Sequence, residues 1–187
     1  PSFPFNGVAA LPRELSVSQV QGKWQVSVAP ARELEGLRQE TKAQGPFEVN
    51  GTKDLKQILA QNEGAFELTM QVAQKDARRL AIIICNEKGE QTELALTREG
   101  EWQLNRTKGG RFPNGMTQSA MAAEKLPVHR LQIFVDRTSV EAFLDGHTVM
   151  SDLIFPSQPF TSLRFQTEGG KAEVSNLKVY RLDAKKK

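Results

Sequence analysis

Two carboxylates flank a tight turn in the segment LQIFVDRTSVEAFLD, residues 131–145. A turn at Thr138-Ser139 sets Arg137 against Val140, Asp136 against Glu141, Val135 against Ala142, Phe134 against Phe143 and Ile133 against Leu144. Each apolar residue from 133 to 135 then meets an apolar partner, and a one-residue slip destroys the match. The same register opposes Asp136 and Glu141, which is unfavourable without a local cation or a shared proton. Paired carboxyls hydrolyse glycosidic bonds at separations of about 5–5.5 Å with retention and about 6.5–9.5 Å with inversion. A cross-strand pair falls near the lower range. The competing account is a hairpin-end network in which Arg137 or another basic side chain neutralises both acids and no cleft separates them, and the residues favour it.

Other candidates for chemistry are sparse. The single thiol, Cys85, permits no internal disulfide and lies in the apolar run LAIIICN, where a free cysteine behaves as a small hydrophobe. His129 and His147 have no carboxylate or cysteine at metal-ligand spacing, so they read as surface or satisfied histidines. No HExxH, GxxxxGK[ST], GxSxG or EF-hand pattern occurs. Trp24, Trp102 and Tyr180 are the only Trp and Tyr residues, and they form no visible row for stacking sugars. The ten Phe mostly alternate with polar neighbours and read as core. No residue is assigned to catalysis, cofactor binding or metal binding.

The elements that must hold these residues are strands. Phe66, Leu68, Met70 and Val72 alternate with Glu67, Thr69, Gln71 and Ala73, the mark of a half-buried strand. The same period runs through Trp24, Val26 and Val28, through Leu94 and Leu96, and through Leu131, Ile133 and Val135. It returns in Val140, Ala142 and Leu144, in Leu163 and Phe165, and in Leu177 and Val179. Turn signals fall at Gln21-Gly22, Asn50-Gly51, Asn62-Glu63-Gly64, Lys88-Gly89, Glu99-Gly100, Gly109-Gly110, Asp145-Gly146 and Gly169-Gly170. This predicts an all-β fold, two antiparallel sheets packed as a jelly-roll-like or lectin-like sandwich. Its expected core includes Phe66, Leu68, Ile82, Ile84, Ile133, Val135, Leu144 and Phe165. In Ala31–Thr41 and Asp54–Gln61 the leucines fall at helical spacing, compatible with a helical turn or an irregular edge strand.

Composition narrows the classes. The 187 residues are 39% hydrophobic and 25% charged, which suits a globular chain of one large domain. No apolar stretch reaches the roughly 18 residues of a membrane-spanning helix. The net charge of +3 owes everything to Lys185, Lys186 and Lys187, without which the 25 basic residues fall to 22 and match the 22 acidic ones. A nucleic-acid surface is therefore not expected. The chain starts at Pro1 rather than Met and shows no signal peptide, so it reads as a piece of something longer.

The segments GVAALPRELSV (7–17), ARELEGLR (31–38), LQIFVDRTSVEAFLDG (131–146) and LIFP (153–156) occur in one order. Together they resemble the C-terminal β-sandwich module of glycoside hydrolase family 32, the levanases, inulinases and invertases. Pro12, Arg13 and Glu14 match the element that opens that module. Asp136, Arg137, Val140, Glu141 and Phe143 match its hairpin, with Thr138 and Ala142 as mild departures. Phe155 and Pro156 fit the LIFP element, and 172–182 is similar to the family's last strand. The resemblance implies a linker over 1–12, a sandwich over 13–182 and a basic tail over 183–187.

It further implies a parent that cleaves β-fructofuranosidic bonds with retention and without metal or cofactor, through an N-terminal five-bladed propeller. The propeller's catalytic motifs (Asn-Asp-Pro, Arg-Asp-Pro, Glu-Cys) are absent: no Asp precedes a Pro, and Ile84 precedes Cys85. The expected role is a non-catalytic module that packs on its own propeller and stiffens it. An exposed apolar patch, weak carbohydrate contact and a homo-oligomer are compatible with that role, and neither nucleic acid nor membrane is an expected partner. A free-standing lectin-like binding module is the rival reading. The expected location is extracellular or periplasmic, with cytoplasmic as the alternative. Levan, inulin and sucrose are not distinguished.

Overall fold

The computed structural model describes residues 9–20, 22–111, 117–122 and 125–183. Residues 1–8 of the expected linker (Gly7 and Val8 of the opening motif among them), Gln21 of the first turn signal and 184–187 of the basic tail lie outside the described residues. Among the described residues run thirteen strands: β1 (Arg13–Val20), β2 (Lys23–Pro30), β3 (Arg38–Gln44), β4 (Phe47–Leu55), β5 (Phe66–Ala73), β6 (Arg79–Cys85), β7 (Gln91–Thr97), β8 (Glu101–Lys108), β9 (Thr117–Met121), β10 (His129–Val135), β11 (Ser139–Leu144), β12 (Thr148–Leu153) and β13 (Ser162–Leu182). A short 3₁₀ helix, Arg32–Leu37, stands before β3.

Eleven strands form one antiparallel sheet folded over itself in two layers, while β1 and β2 make a separate two-stranded sheet. The first layer is the β6–β9 meander, and the second joins β5 to the β10–β12 meander. Strand β13 belongs to both: its first part, Ser162–Glu168, pairs with β6, and its later part, Glu173–Arg181, pairs with β5. On its other edge it carries β4 and β3. The expected sandwich is present, with its layers joined in one hydrogen-bonded path.

The corner between the layers corrects two of the expected turns. Asn50-Gly51 and Gly169-Gly170 lie inside β4 and β13, opposite one another, where the pairing jumps from Gln166↔Thr52 to Lys171↔Asn50. A bulge bends a strand while keeping it paired on either side, so glycine marks a bend here and not a reversal. The β5–β6 loop fills the bulge. Arg78 N–H donates to Glu168 O at 2.8 Å and Lys171 N–H to Asp76 Oδ1 at 2.6 Å. Gly170 has φ +142°, and a Cβ there would lie 2.6 Å from the Asp76 carbonyl.

Side chains from both layers meet in one core. All eight expected core residues are in it, none more than 2% exposed. The sheet nearly closes where β9 approaches β12: Gln118 Nε2 donates to Ser151 O and Asp152 Oδ2, both at 3.0 Å. Below that seam Phe155 bridges to Gly110, with Phe155 N–H to Gly109 O at 2.9 Å and Arg111 N–H to Phe155 O at 3.0 Å. Gly110 permits this approach, since a Cβ there would fall 1.9 Å from the Phe155 carbonyl oxygen. The two segments with helical spacing resolve differently. Residues 32–37 form the 3₁₀ helix before β3, whereas Asp54 and Leu55 end β4 and 56–61 form turns.

Candidate functional site

The hairpin that carries the two carboxylates is displaced from its expected register. Val135 pairs with Val140, Phe134 with Glu141, Ile133 with Ala142, Gln132 with Phe143 and Leu131 with Leu144. Asp136 N–H closes the turn on Ser139 O at 2.9 Å, so Arg137-Thr138 is the turn. Asp136 and Glu141 thus share a face as diagonal neighbours and are not directly opposed. The displacement is by two residues, which keeps every side chain on its face. Apolar matching does not choose between the two registers, because the observed one also pairs Val135, Ile133 and Leu131 with apolar partners. Phe134 and Phe143 on the outer face are 4% and 3% exposed, and they meet edge-on across a diagonal at 6.1 Å.

The observed register lines up one residue from each of five strands on the outer face of the second layer. Tyr180 faces Glu67, Glu67 faces Phe134, Phe134 faces Glu141, and Glu141 faces Ser151. Two glutamates in this row are buried, Glu67 at 0% and Glu141 at 3% exposure. A buried carboxylate needs charge compensation and donors for its lone pairs.

For Glu141 they come from the segment entering β1. Arg13 Nη2 donates to Oε2 at 2.6 Å, and the backbone N–H of Leu11 donates to Oε1. Ser151 Oγ donates to Oε2 at 3.2 Å and accepts from Arg13 Nη2 at 2.7 Å. The Arg13 guanidinium also lies 5.7 Å from the centre of the Phe143 ring, within cation–π range. The neutralising cation is therefore Arg13, not Arg137. Asp136 is exposed, and its Oδ1 accepts the Arg137 N–H at 2.6 Å.

Glu67 is held by a residue that the sequence reading passed over. Arg38 grips it with two parallel bonds, Nε to Oε2 and Nη2 to Oε1, each 2.7 Å, while Gln132 Nε2 adds a third at 2.8 Å. The Arg38 guanidinium lies 4.5 Å from the Tyr180 ring centre, and its side-chain hydrogen bond to Glu67 raises its pKa above the ordinary arginine value. A planar fork matches a carboxylate in this way only for arginine. A polar residue in an alternating strand reads as solvent-facing, so Glu67 gave no sign of its burial. The signal available was Arg38 itself, at the end of the ARELEGLR element.

The remaining named residues take separate places. Pro12 O accepts the Ala31 N–H at 2.9 Å and so closes the stem of the β1–β2 hairpin. Glu14 pairs with Arg32 at 2.9 Å, and that hydrogen bond lowers its pKa. Val140 lies in the core. Arg137 and Pro156 line a hollow of about 300 Å³ beside Asp136. His129 Nδ1 lies 2.6 Å from Asp145 Oδ2, and His147 Nδ1 lies 3.1 Å from Ser27 Oγ. Burial raises the Cys85 thiol pKa. Among the described residues no group of three or more His, Cys, Asp and Glu could hold a metal.

A groove of about 470 Å³ runs between β2 and the outer face, lined by Gln71, Arg130, Gln132, Asn176 and Lys178. Its one aromatic, Phe143, is buried beneath Arg13. The arrangement as a whole has the chemistry of a clamp. Arg13 and Arg38, both from the first 38 residues of the chain, fasten that segment to one face by charge.

The sequence profile described as glycosyl hydrolases family 32 C terminal matches residues 33–181. A levanbiose-producing levanase of Bacillus subtilis (strain 168) is 25% identical over 188 residues, taking in 96% of this chain and 36% of the levanase. A sucrose-6-phosphate hydrolase of Staphylococcus xylosus is 30% identical over 146 residues, taking in 75% of this chain and 28% of the hydrolase. The crystal structure of exo-inulinase from Aspergillus awamori has the same fold, with a TM-score of 0.78 at 21% identity over 98% of this chain and 37% of that one. The chain spans between 21 and 36% of the length of the curated relatives it matches.

Proposed function

Since the chain belongs to the family of glycosyl hydrolases family 32 C-terminal domains, we propose that it is the non-catalytic β-sandwich of a larger retaining glycosidase. In this reading the parent cleaves β-fructofuranosidic bonds in a fructan or in sucrose, and the module packs on an N-terminal catalytic propeller and keeps it rigid. The observation that carries it is the Glu141 clamp, in which Arg13 and the Leu11 N–H seat the entering chain on the sandwich face. A domain attached ahead of Leu11 would leave the module in one fixed direction. The same clamp argues against a catalytic role for the carboxylate pair. Retaining hydrolysis needs a free nucleophile and an acid/base on opposite sides of one bond; Glu141 is 3% exposed and fully engaged.

The relatives support the substrate class, being named for levan, inulin and sucrose 6-phosphate. The Aspergillus awamori relative is called extracellular, which supports an extracellular or periplasmic place for the parent. The lectin-like reading comes second, because the groove beside β2 offers amides and cations but no exposed ring.

Release of reducing sugar from levan, inulin and sucrose tests the proposal, with the chain alone and with the longer polypeptide that contains it. Hydrolysis is expected only from the longer polypeptide. Turnover by the chain alone that both Asp136→Ala and Glu141→Ala abolish would overturn it.

A further inference from the structure

The outer face of the second layer changes character away from its two buried glutamates. Beyond Glu67 and Phe134 the cross-strand rows turn polar and cationic. Lys178 on β13 faces Thr69 on β5, which faces Gln132 on β10; in the next row Ser175 faces Gln71, which faces Arg130. These rows floor the groove of about 470 Å³, a volume that suits a small ligand. Its wall is the end of β2, where Val28, Ala29 and Pro30 stand. The large apolar residues earlier in β2 point elsewhere: Trp24 and Val26 are 73% and 57% exposed and line no part of the groove.

The interior is cationic and rich in donors. Arg130 and Lys178 are exposed, and neither side chain has an ion pair or hydrogen bond among the described residues. The lining holds one carboxylate, Asp145, and both its oxygens are engaged. Oδ2 lies 2.6 Å from His129 Nδ1, and Oδ1 accepts the Arg130 N–H at 2.7 Å. Asn176 Nδ2 donates to Gln71 Oε1 at 2.9 Å, which leaves Gln71 Nε2 as a donor. Gln132 commits Nε2 to Glu67 and keeps Oε1 as an acceptor. The backbone bends to present these groups: pairing of β13 with β5 slips between Ser175 and Lys178, a bulge that adds one residue to the strand. Within it Asn176 is exposed at φ +53°. Glycine would hold that left-handed backbone at less cost, so what the residue contributes is its amide.

We propose that this groove binds a sugar carrying one phosphate, a phosphomonoester of a hexose. Arg130 and Lys178 stand two strands and two residues apart, about 12 Å between Cα atoms by sheet geometry, and their long side chains converge on one phosphate from opposite sides. Arginine offers a fork and lysine a point charge, and both match phosphate oxygens. Gln71, Asn176 and Gln132 supply donors and an acceptor for the hydroxyls, and Ala29 and Pro30 give an aliphatic wall for the C–H face of the ring. A neutral sugar would leave the two cations nothing to hold and would find no exposed ring to stack on. The site is built from this chain's own residues and does not depend on the activity of a longer polypeptide.

Isothermal titration calorimetry of the chain at low salt tests this with glucose 6-phosphate, inorganic phosphate and glucose. Glucose 6-phosphate is expected to saturate one site, binding at least about tenfold more tightly than either of the others. Combining Arg130→Gln with Lys178→Gln should weaken that binding at least about tenfold and leave the melting temperature unchanged. Removing the same charge elsewhere, by Lys53→Gln with Lys56→Gln, should leave binding as it is. Asn176→Gly, which relaxes the backbone and deletes the amide, should weaken binding about threefold without lowering the melting temperature. Inorganic phosphate bound as tightly as the sugar phosphate would overturn the proposal and leave a plain anion site. Glucose bound as tightly would overturn it in favour of a groove for neutral sugars. Failure of all three to bind, or binding that survives loss of both Arg130 and Lys178, would overturn it outright.

Discussion

Two rows of side chains cross the second layer of the sandwich on opposite faces, one residue apart along each strand. The inner row is Val179, Leu68, Ile133, Ala142 and Met150, and the outer is Tyr180, Glu67, Phe134, Glu141 and Ser151. Leu68, Ile133 and Ala142 are fully buried inside, yet Glu67 is as inaccessible outside. The inner row is covered by another sheet layer, and apolar matching suffices. The outer row is covered by a few residues of chain, Leu11 to Arg13 and the Arg38 side chain at the start of β3, whose apolar surface does not satisfy the two buried carboxylates. Charge does that work, and it also fixes position. An apolar cover can slide by a residue at small cost, but a forked guanidinium on a buried carboxylate cannot.

The comparison breaks most visibly at Arg38. Arg38→Ala strands Glu67 in a dry site and should cost about 3–5 kcal/mol in urea unfolding. Combining Arg38→Leu with Glu67→Leu should recover most of that loss, since a well-packed apolar pair can replace a buried ion pair. A double variant as unstable as Arg38→Ala would show that the charges stabilise more than their desolvation costs. Arg13→Ala should fall in the middle, at about 1.5–3 kcal/mol, because Glu141 keeps the Leu11 N–H and the Ser151 hydroxyl. Limited proteolysis should then cut within 13–30 first. Ile133→Val, which trims one methyl from the inner row, should cost the least, about 0.5–1.5 kcal/mol. If it costs more than Arg38→Ala, the outer row is held by packing after all.

How much of this could be read in the sequence follows the same division. Strands whose apolar residues face the other layer were legible one by one, because period 2 reports a single buried face. The hairpin at 131–145 was legible as a hairpin but misplaced by two residues in register, because such a shift keeps each side chain on its face and still pairs apolar residues with one another. Glycine was legible as a break in the strand; whether Gly169-Gly170 reverses the chain or bends it depends on the β5–β6 loop packed into the bulge. In the candidate site, Arg13 and Glu141 were each picked out in separate motifs 128 residues apart, and nothing local says that they touch. Glu67 looks like any solvent-facing strand residue until Arg38 is laid over it. The alternation in β2 was plain, but period alone does not say whether the apolar face points at this domain or away from it.

Strand β13 also sets an order of events during synthesis. The β6–β9 and β10–β12 meanders are built from neighbours in sequence and can form as they emerge. Strands β3 and β4, made earlier, find their partners only in β13, and β5 and β6 are joined to one another only through it. Contacts of such long sequence separation form slowly and late. A growing chain therefore carries two incomplete half-sheets with open edges until β13 is free of the ribosome. The exposed strands β3 and β4 are the segment that a chaperone would have to shield.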